Sequence, residues 1–327
     1  MQLYLPRFFP HPGRIFLSVL GLLLAITPPA TAAPTAYQTA VLADNPFVYY
    51  RFGEAAGTTA IDSSANGFTG TYVAGPTLGV AGDGAGGASD NAVTFNGTSQ
   101  YVVCPSTTAA LAFGTDLGSA SYEFVFKTTS TASGYLLGTA NTGSTTAINV
   151  IMNQNPGGNT TVAGAMRIYI RDSNGHSIEA AFTNATAFDG NYHHLVWTFN
   201  AGTLTAYLDG VVQAIGTPVI GTAAPTAFTA FSNPLALACY DSRGTYEDFG
   251  AVTLDEAAVY PAALSAVRVT AHYDALTGYT PPPPVVGVAF LPPQSQILSD
   301  LVLANNRFTN EWPSPGCTGC LSGNHAS

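Results

Sequence analysis

The sequence predicts an all-β sandwich of two antiparallel sheets with one short C-terminal helix, and three observations carry that reading. Short alternating apolar runs follow one another from residue 33 to residue 280. Gly, Asn and Asp turns punctuate them, and helical periodicity is almost absent. Many short strands at such intervals make a sandwich, and roughly 250 residues is an ordinary length for one.

In order, the runs are "FVYYRF" (47–52), "AVTF" (92–95), "QYVVC" (100–104), "SYEFVFK" (121–127), "GYLLGT" (134–139), "AINVIM" (147–152), "AMRIYIR" (165–171), "SIEAAF" (177–182), "HLVWTF" (194–199), "TLTAYL" (203–208) and "PLALAC" (234–239). Within "SYEFVFK", Tyr122, Phe124 and Phe126 share one side of the strand and Glu123 and Lys127 the other, as a period of two requires. Asn96-Gly97 and Asp209-Gly210 sit between runs and favour the positive φ of tight turns, so each is expected to close a hairpin. The helix is expected in "PAALSAVRVTAHYDAL" (261–276), where Leu264, Val267, Ala271 and Leu276 lie near one stripe. Ser265 would be its N-cap and Gly278 its terminator.

Residues 1–32 have the form of a cleaved signal peptide. Arg7, His11 and Arg14 precede an apolar run at 15–27, and Ala30-Thr31-Ala32 supplies the small-residue cleavage pattern. That run is shorter than the roughly 20 residues a membrane-spanning helix needs. The chain is therefore expected to be secreted or displayed at a cell surface, without membrane insertion. Beyond the domain, "PPPP" (281–284) opens a stiff Pro-rich linker, 281–296, followed by a short tail, 297–327, too small for a core of its own.

Composition narrows the partners. The chain carries 9 basic and 19 acidic residues; without Arg7 and Arg14, 7 basic residues remain and the net charge is −12. Nucleic acid and anionic membrane surfaces suit such a chain poorly. Four cysteines are too few for a disulfide-built scaffold, so apolar burial must hold the domain together. Cys104 and Cys239 admit two readings, a disulfide or two buried thiols. Cys317 and Cys320 likewise fit a local disulfide or thiols belonging to a missing domain.

Three segments carry a family resemblance. They are "VLADNPFVYYRFGEAAGTTAIDSSANGFTGTY" (41–72), "NAVTFNGTSQYVV" (91–103), and "NYHHLVWTFNAGTLTAYLDGVV" (191–212) followed by "VTLDEAAVYPAALSAVRVTAHYDA" (252–275). Together they resemble the laminin-G-like jelly rolls of the concanavalin A-like lectin/glucanase group over nearly all of 41–276. The resemblance implies a jelly roll of two curved sheets, usually binding and not catalytic, often with a calcium ion near the rim. The tail, 301–327, is similar to the opening of secreted unsaturated glucuronyl or rhamnogalacturonyl hydrolases, which implies a glycoside hydrolase cut short before its catalytic domain.

Candidate chemistry divides into three kinds. His193 and His194 are neighbours on one strand, so they point to opposite faces and cannot chelate one metal. Glycoside hydrolysis needs two carboxyls about 5–10 Å apart. The Glu-x-Asp-x-x-Glu pattern of glucanases with this fold is missing, and Asp255 and Glu256, being adjacent, are expected on opposite faces. This stretch is therefore not expected to be an enzyme, and no organic cofactor is expected.

Calcium is the second kind. The ion wants six to eight oxygens, and the resemblance suggests Asp62, Ser63 and Asn66 converging with Asp255 or Glu256 at a sandwich edge. The competing reading makes Asp62 and Asn66 ordinary turn formers. The Gly-rich "AGDGAGGASDN" (81–91) lacks spaced ligands and is expected to be a loop. Sugar binding is the third kind, and needs exposed aromatic faces beside polar groups. Tyr240, Asp241, Arg243, Tyr246 and Glu247 cluster in "CYDSRGTYED" (239–248), with Tyr135 and Asn141 as further candidates and plain loop decoration as the alternative. Asn96, Asn159 and Asn184 fit the glycosylation sequon.

These readings lead to an exported, non-catalytic carbohydrate-binding module that binds a polysaccharide or glycan beside a downstream degrading domain. A surface adhesion or structural module with a protein partner is the alternative, and a truncated hydrolase the third reading.

Overall fold

A computed structural model describes residues 35–83, 90–141, 146–157 and 160–279. The expected signal peptide, the Pro-rich linker, the hydrolase-like tail with Cys317 and Cys320, and Asn159 lie outside the described residues. Two sheets pack face to face, and apart from one parallel pair their strands run antiparallel. The first sheet has eight strands and centres on Ser119–Lys127, flanked by Tyr192–Asn200 and Ala251–Tyr260. The second has eleven, with Ser177–Thr183, Thr161–Arg171, Ala147–Gln154 and Gly134–Ala140 side by side.

Alternation decides what goes between the sheets. Tyr122, Phe124, Phe126, Leu195, Trp197 and Phe199 point inward from the first sheet, towards Ile148, Val150, Ile168, Ile170 and Phe182 of the second. Trp197 and Phe182 meet with ring centroids 5.7 Å apart. The opposite parity of the first sheet, Tyr49, Val125, Val196, Ala258 and Tyr260, forms a second apolar layer under two helices. One of these, Ala36–Ala43, carries a capping box between Thr35 and Gln38. The other is Ala266–Thr277, with the expected Ser265 N-cap and a left-handed Gly278 at its end.

The stripe read for the second helix is corrected. Val267 is 76% exposed, whereas Val269 and His272 face the sheet. Leu264 is buried ahead of the N-cap, so counting the helical stripe from it set the wrong phase. A second correction concerns the turns. Asp209-Gly210 closes a hairpin with φ of 52 and 73 and Leu208 opposite Val211. Asn96-Gly97 does not, because the strands on either side of it belong to different sheets. Asn96 Oδ1 accepts the Thr98 and Ser99 N–H groups, and a Cβ on Gly97 would lie 2.7 Å from Ala251 Cβ, so this turn steers the chain across the sandwich.

A third correction is local to Ala251–Tyr260. Its register shifts between Leu254 and Glu256 against Ser119–Lys127, a β-bulge at Asp255. Val252 and Leu254 point inward before the bulge, Ala257 and Val259 after it. Strict alternation between Asp255 and Glu256 therefore fails. Cys104 and Cys239 are both free and buried, which selects the thiol reading, and Cys104 Sγ lies 2.8 Å from the Tyr50 hydroxyl. His193 and His194 diverge as expected: His193 bonds Asp209 and Asp189, and His194 bonds Glu123. Among the described residues no helix is long and apolar enough to cross a membrane.

Candidate functional site

The outer face of the second sheet holds a shallow polar groove of about 220 Å³. Register builds it in rows. Ile151 has Tyr135 on one side and Arg167 on the other; Asn149 lies between Gly138 and Tyr169, and Ala147 between Ala140 and Arg171. All of these leave the face opposite Ile148, Val150, Ile168 and Ile170. The Tyr240–Ser242 strand runs parallel to Gly134–Ala140 and brings Tyr240 and, through its turn, Arg243 to the same groove.

Small residues make the floor. A Cβ on Gly138 would lie 2.8 Å from the Tyr135 ring and 3.1 Å from Tyr240 Cα, so only glycine lets these two residues approach. Their rings then stack at 5.0 Å with 12° between planes. Tyr135 is the buried member and Tyr240 the part-exposed one, leaving an aromatic face towards solvent. Arg167 is held in place: its Nε donates to Glu179 Oε2 at 2.7 Å, its other nitrogens bond Glu179 and Gln154, and it lies 5.7 Å over the Tyr169 ring. Asn149 is 6% exposed, and its side-chain oxygen has no hydrogen-bond partner. A buried polar atom without a partner costs free energy unless something in the groove supplies one.

The fold thus brings Tyr135, Tyr240 and Arg243 together, with Glu247 directly across the strand pair from Tyr240. It separates the rest of the predicted set. Asp241 turns inward, is buried, and accepts the Gly244 N–H at 2.6 Å. Tyr246, of the same parity, stacks on Tyr101 at 4.3 Å. Asn141 is buried and bonds the backbone at Ala230 and Ser232. Asn149, Arg167, Tyr169 and Arg171 were not foreseen. The signal was present in "AMRIYIR", whose even positions are apolar and whose odd positions carry Arg-Tyr-Arg.

The early loop is occupied by its own hydrogen bonds. Asp62 Oδ1 accepts the Tyr49 and Ser64 N–H groups, and Oδ2 accepts the Ser64 hydroxyl and the Phe68 N–H. Asn66 Nδ2 donates to the Phe47 carbonyl. Four donors are thus already aimed at this one carboxylate. Asp255 instead meets Asp83 and Asp90 of the Gly-rich loop, the three carboxylates offering oxygens within 4.8 Å of one another. Asp255 Oδ2 accepts the Asp83 N–H at 2.6 Å, and Oδ1 has no hydrogen-bond partner. Burial, then the Asp83 carboxyl, push Asp255 up to about 10. Glu256 is also pushed up, first by burial, and Asp90 and Asp83 contribute; Arg51 Nε lies 3.6 Å away.

A larger recess of about 540 Å³ lies over the first sheet, among Thr94, Lys127, Thr128 and Thr253. Its polar groups are engaged: Thr94 and Thr253 hydroxyls bond each other at 2.7 Å, and the Lys127 ammonium sits 4.3 Å over the Tyr192 ring. Of these two recesses, the smaller groove is the better site.

Comparison with known proteins agrees with this architecture. No curated protein sequence matches the chain. Among solved structures, the binding domain of botulinum neurotoxin serotype G superposes with a TM-score of 0.52 at 11% identity, covering 70% of this chain and 50% of that one. The binding domain of Paraclostridial Mosquitocidal Protein 1 gives 0.52 at 13% identity, covering 72% and 53%. The chain thus spans about half the length of these structures, and likeness at such identity concerns the fold alone. Residues 96–270, more than half of the 327, match the laminin G family model described as "Concanavalin A-like lectin/glucanases superfamily". That match runs through the strands that build both sheets and the groove, and the chain belongs to the concanavalin A-like lectin/glucanases superfamily.

Proposed function

We propose that this chain is an exported, non-catalytic glycan-binding module whose contact surface is the tyrosine–arginine groove. One observation carries the reading: the stacked Tyr135–Tyr240 pair stands beside Asn149, whose buried oxygen lacks a partner. An aromatic face stacks on the C–H face of a pyranose, while amide and guanidinium groups meet its hydroxyls. The groove is smaller than the roughly 300–1,000 Å³ typical of drug-sized ligands. It suits a single sugar unit, at a chain end or within a polymer. In a glycan array followed by calorimetry, saturable binding is expected, weakened at least tenfold by Tyr240→Ala. Binding that survives both Tyr240→Ala and Asn149→Ala would refute the assignment.

A structural calcium belongs to this reading, with Asp83, Asp90 and Asp255 as its carboxylate ligands. Support comes from their mutual approach and from the unpartnered Asp255 Oδ1. A hard cation would replace the proton that burial otherwise keeps on Asp255. A polysaccharide-degrading domain joined after residue 280 is also part of the reading, and the reading frame beyond Ser327 tests it.

A protein-binding adhesion module is the second reading, and a separate feature favours it. Val211, Val212, Val219 and Ile220 are exposed on edge strands of the two sheets. One structure with a comparable sandwich, TM-score 0.50 at 9% identity and covering 72% of this chain and 52% of that one, is the binding domain of botulinum neurotoxin DC in complex with rat synaptotagmin II. Val212→Asp with Ile220→Asp would abolish binding to a surface protein under this reading and leave glycan binding untouched.

A further inference from the structure

We infer that the groove selects an acidic saccharide and that Arg171, with Arg243, recognises its carboxylate. The inference rests on the glycan-binding reading and adds the charge of the ligand. Basic residues are scarce: between residues 35 and 279 the sequence has Arg51, Lys127, Arg167, Arg171, Arg243 and Arg268. Three of those six line this one groove, in a chain of net charge −10. The other three lie outside it, Arg51 near Glu256, Lys127 on the Tyr192 ring and Arg268 on Asp44.

Within the groove the three arginines differ in role. Arg167 is bonded to Glu179 and Gln154, so it orients the floor and has its charge matched. Arg171 is part-buried and makes no ion pair among the described residues. Its row neighbours are Ala147 and Ala140, whose short side chains leave open space beside the guanidinium. Arg243 stands at the groove's mouth with φ of 61, a left-handed conformation that long side chains rarely adopt and that Asn or Gly would take more readily. Two acids border the same surface. Glu179 is taken by Arg167, and Glu247 stands exposed across from Tyr240.

The geometry asks for a planar anion carried on a ring. A guanidinium offers two parallel N–H donors, which match the two oxygens of a carboxylate. The Tyr240 face takes the ring itself, and Asn149 lies one row from both Arg167 and Arg171 to bond a hydroxyl. A uronic acid unit has each of these parts.

The full chain is titrated with oligogalacturonate, its methyl ester, a neutral galacto-oligosaccharide and a sulfated dextran. The free acid is expected to bind at least tenfold more tightly than the ester and to weaken as salt rises. Arg171→Gln should lose about tenfold for the acid and erase most of the preference for acid over ester, with Tm held to show that the variant folds. Equal binding of acid and ester, or an unmoved Arg171→Gln, overturns the inference. If neutral sugar binds equally well and Tyr240→Ala abolishes it, the glycan reading stands and the acidic preference falls. Preference for the sulfated probe over the uronate overturns the carboxylate, and no binding of any probe overturns both readings.

Discussion

The outer faces of the two sheets both carry acids, tyrosines and basic groups, but only one of them is roofed. Over the first sheet two helices close on Glu123, whose carboxylate is bonded by Tyr37, His194, His272 and Tyr260. His272 continues the chain of contacts to Asp44 at 2.9 Å. Over the second sheet Tyr169, Arg171 and Tyr240 stay part-exposed, and Asn149 keeps an oxygen unbonded. The same residue types are mortar where partners surround them and stay accessible where partners are fewer. Partner count, more than residue identity, separates the two.

The largest effect should come from breaking the roofed side. Glu123→Ala leaves two buried imidazoles and two phenols facing a void. Losing one member of a buried charged pair costs about 3–5 kcal/mol, which at about 2–4 °C per kcal/mol lowers Tm by roughly 6–20 °C. Burial alone would raise the Glu123 carboxyl, but His272 and His194 outweigh it and hold it well below the ordinary 4.5. Because the folded value is depressed, this stabilisation is complete above about 4.5 and drains away as pH falls below it. Glu123→Gln should flatten that acid limb in a denaturation series across pH; an unchanged limb would show that other carboxyls govern it.

Asp62→Ala comes next. It strands the Tyr49, Ser64 and Phe68 N–H groups, at about 1–3 kcal/mol for an unpartnered donor. Chemical denaturation measures the loss, and added calcium is expected to leave it unchanged, since four donors already engage the Asp62 carboxylate. Asp255 should behave the other way. Its folded value is raised, to about 10 from 3.8, so without a cation its contribution is lost as pH climbs through that interval. Asp255→Asn is therefore expected to raise Tm in EDTA at neutral pH and to erase the gain that calcium gives the parent chain. A parent Tm indifferent to calcium would remove the ion from the account. The smallest change is expected at the open face: Tyr240→Ala should stay within about 1 kcal/mol of parent stability while sugar binding collapses. A large drop in Tm there would make the groove scaffold after all.

What the sequence disclosed follows from how far each physical rule reaches. Period-two alternation is local and strong, so the strands from Ser119 to Leu208 were legible, as were the Ser265 and Gly278 caps. Asn96-Gly97 was misread because a turn's φ angles do not say which sheet the next strand will join. The Asp255 bulge depends on pairing with a strand some 130 residues earlier, beyond any window of local periodicity. Of the candidate site, Tyr135, Tyr240 and Arg243 were named but Asn149 and Arg171 were not. Their strands read as core, and nothing local says that the other side of a core strand is left uncovered. The Gly-rich loop reads as lacking spaced ligands for the same reason: Asp83 and Asp90 approach Asp255 only in three dimensions.

The unpaired cysteines have a practical reach of their own. Burial pushes the Cys104 thiol up to about 12 and raises Cys239 as well, which disfavours the thiolate that attacks disulfides and reacts with oxidants. Among the described residues, no disulfide holds the domain together. The domain should mature equally in a reducing cytosol and in an oxidising exterior, and yield from either compartment should depend on temperature and concentration instead of on oxidase or isomerase supply.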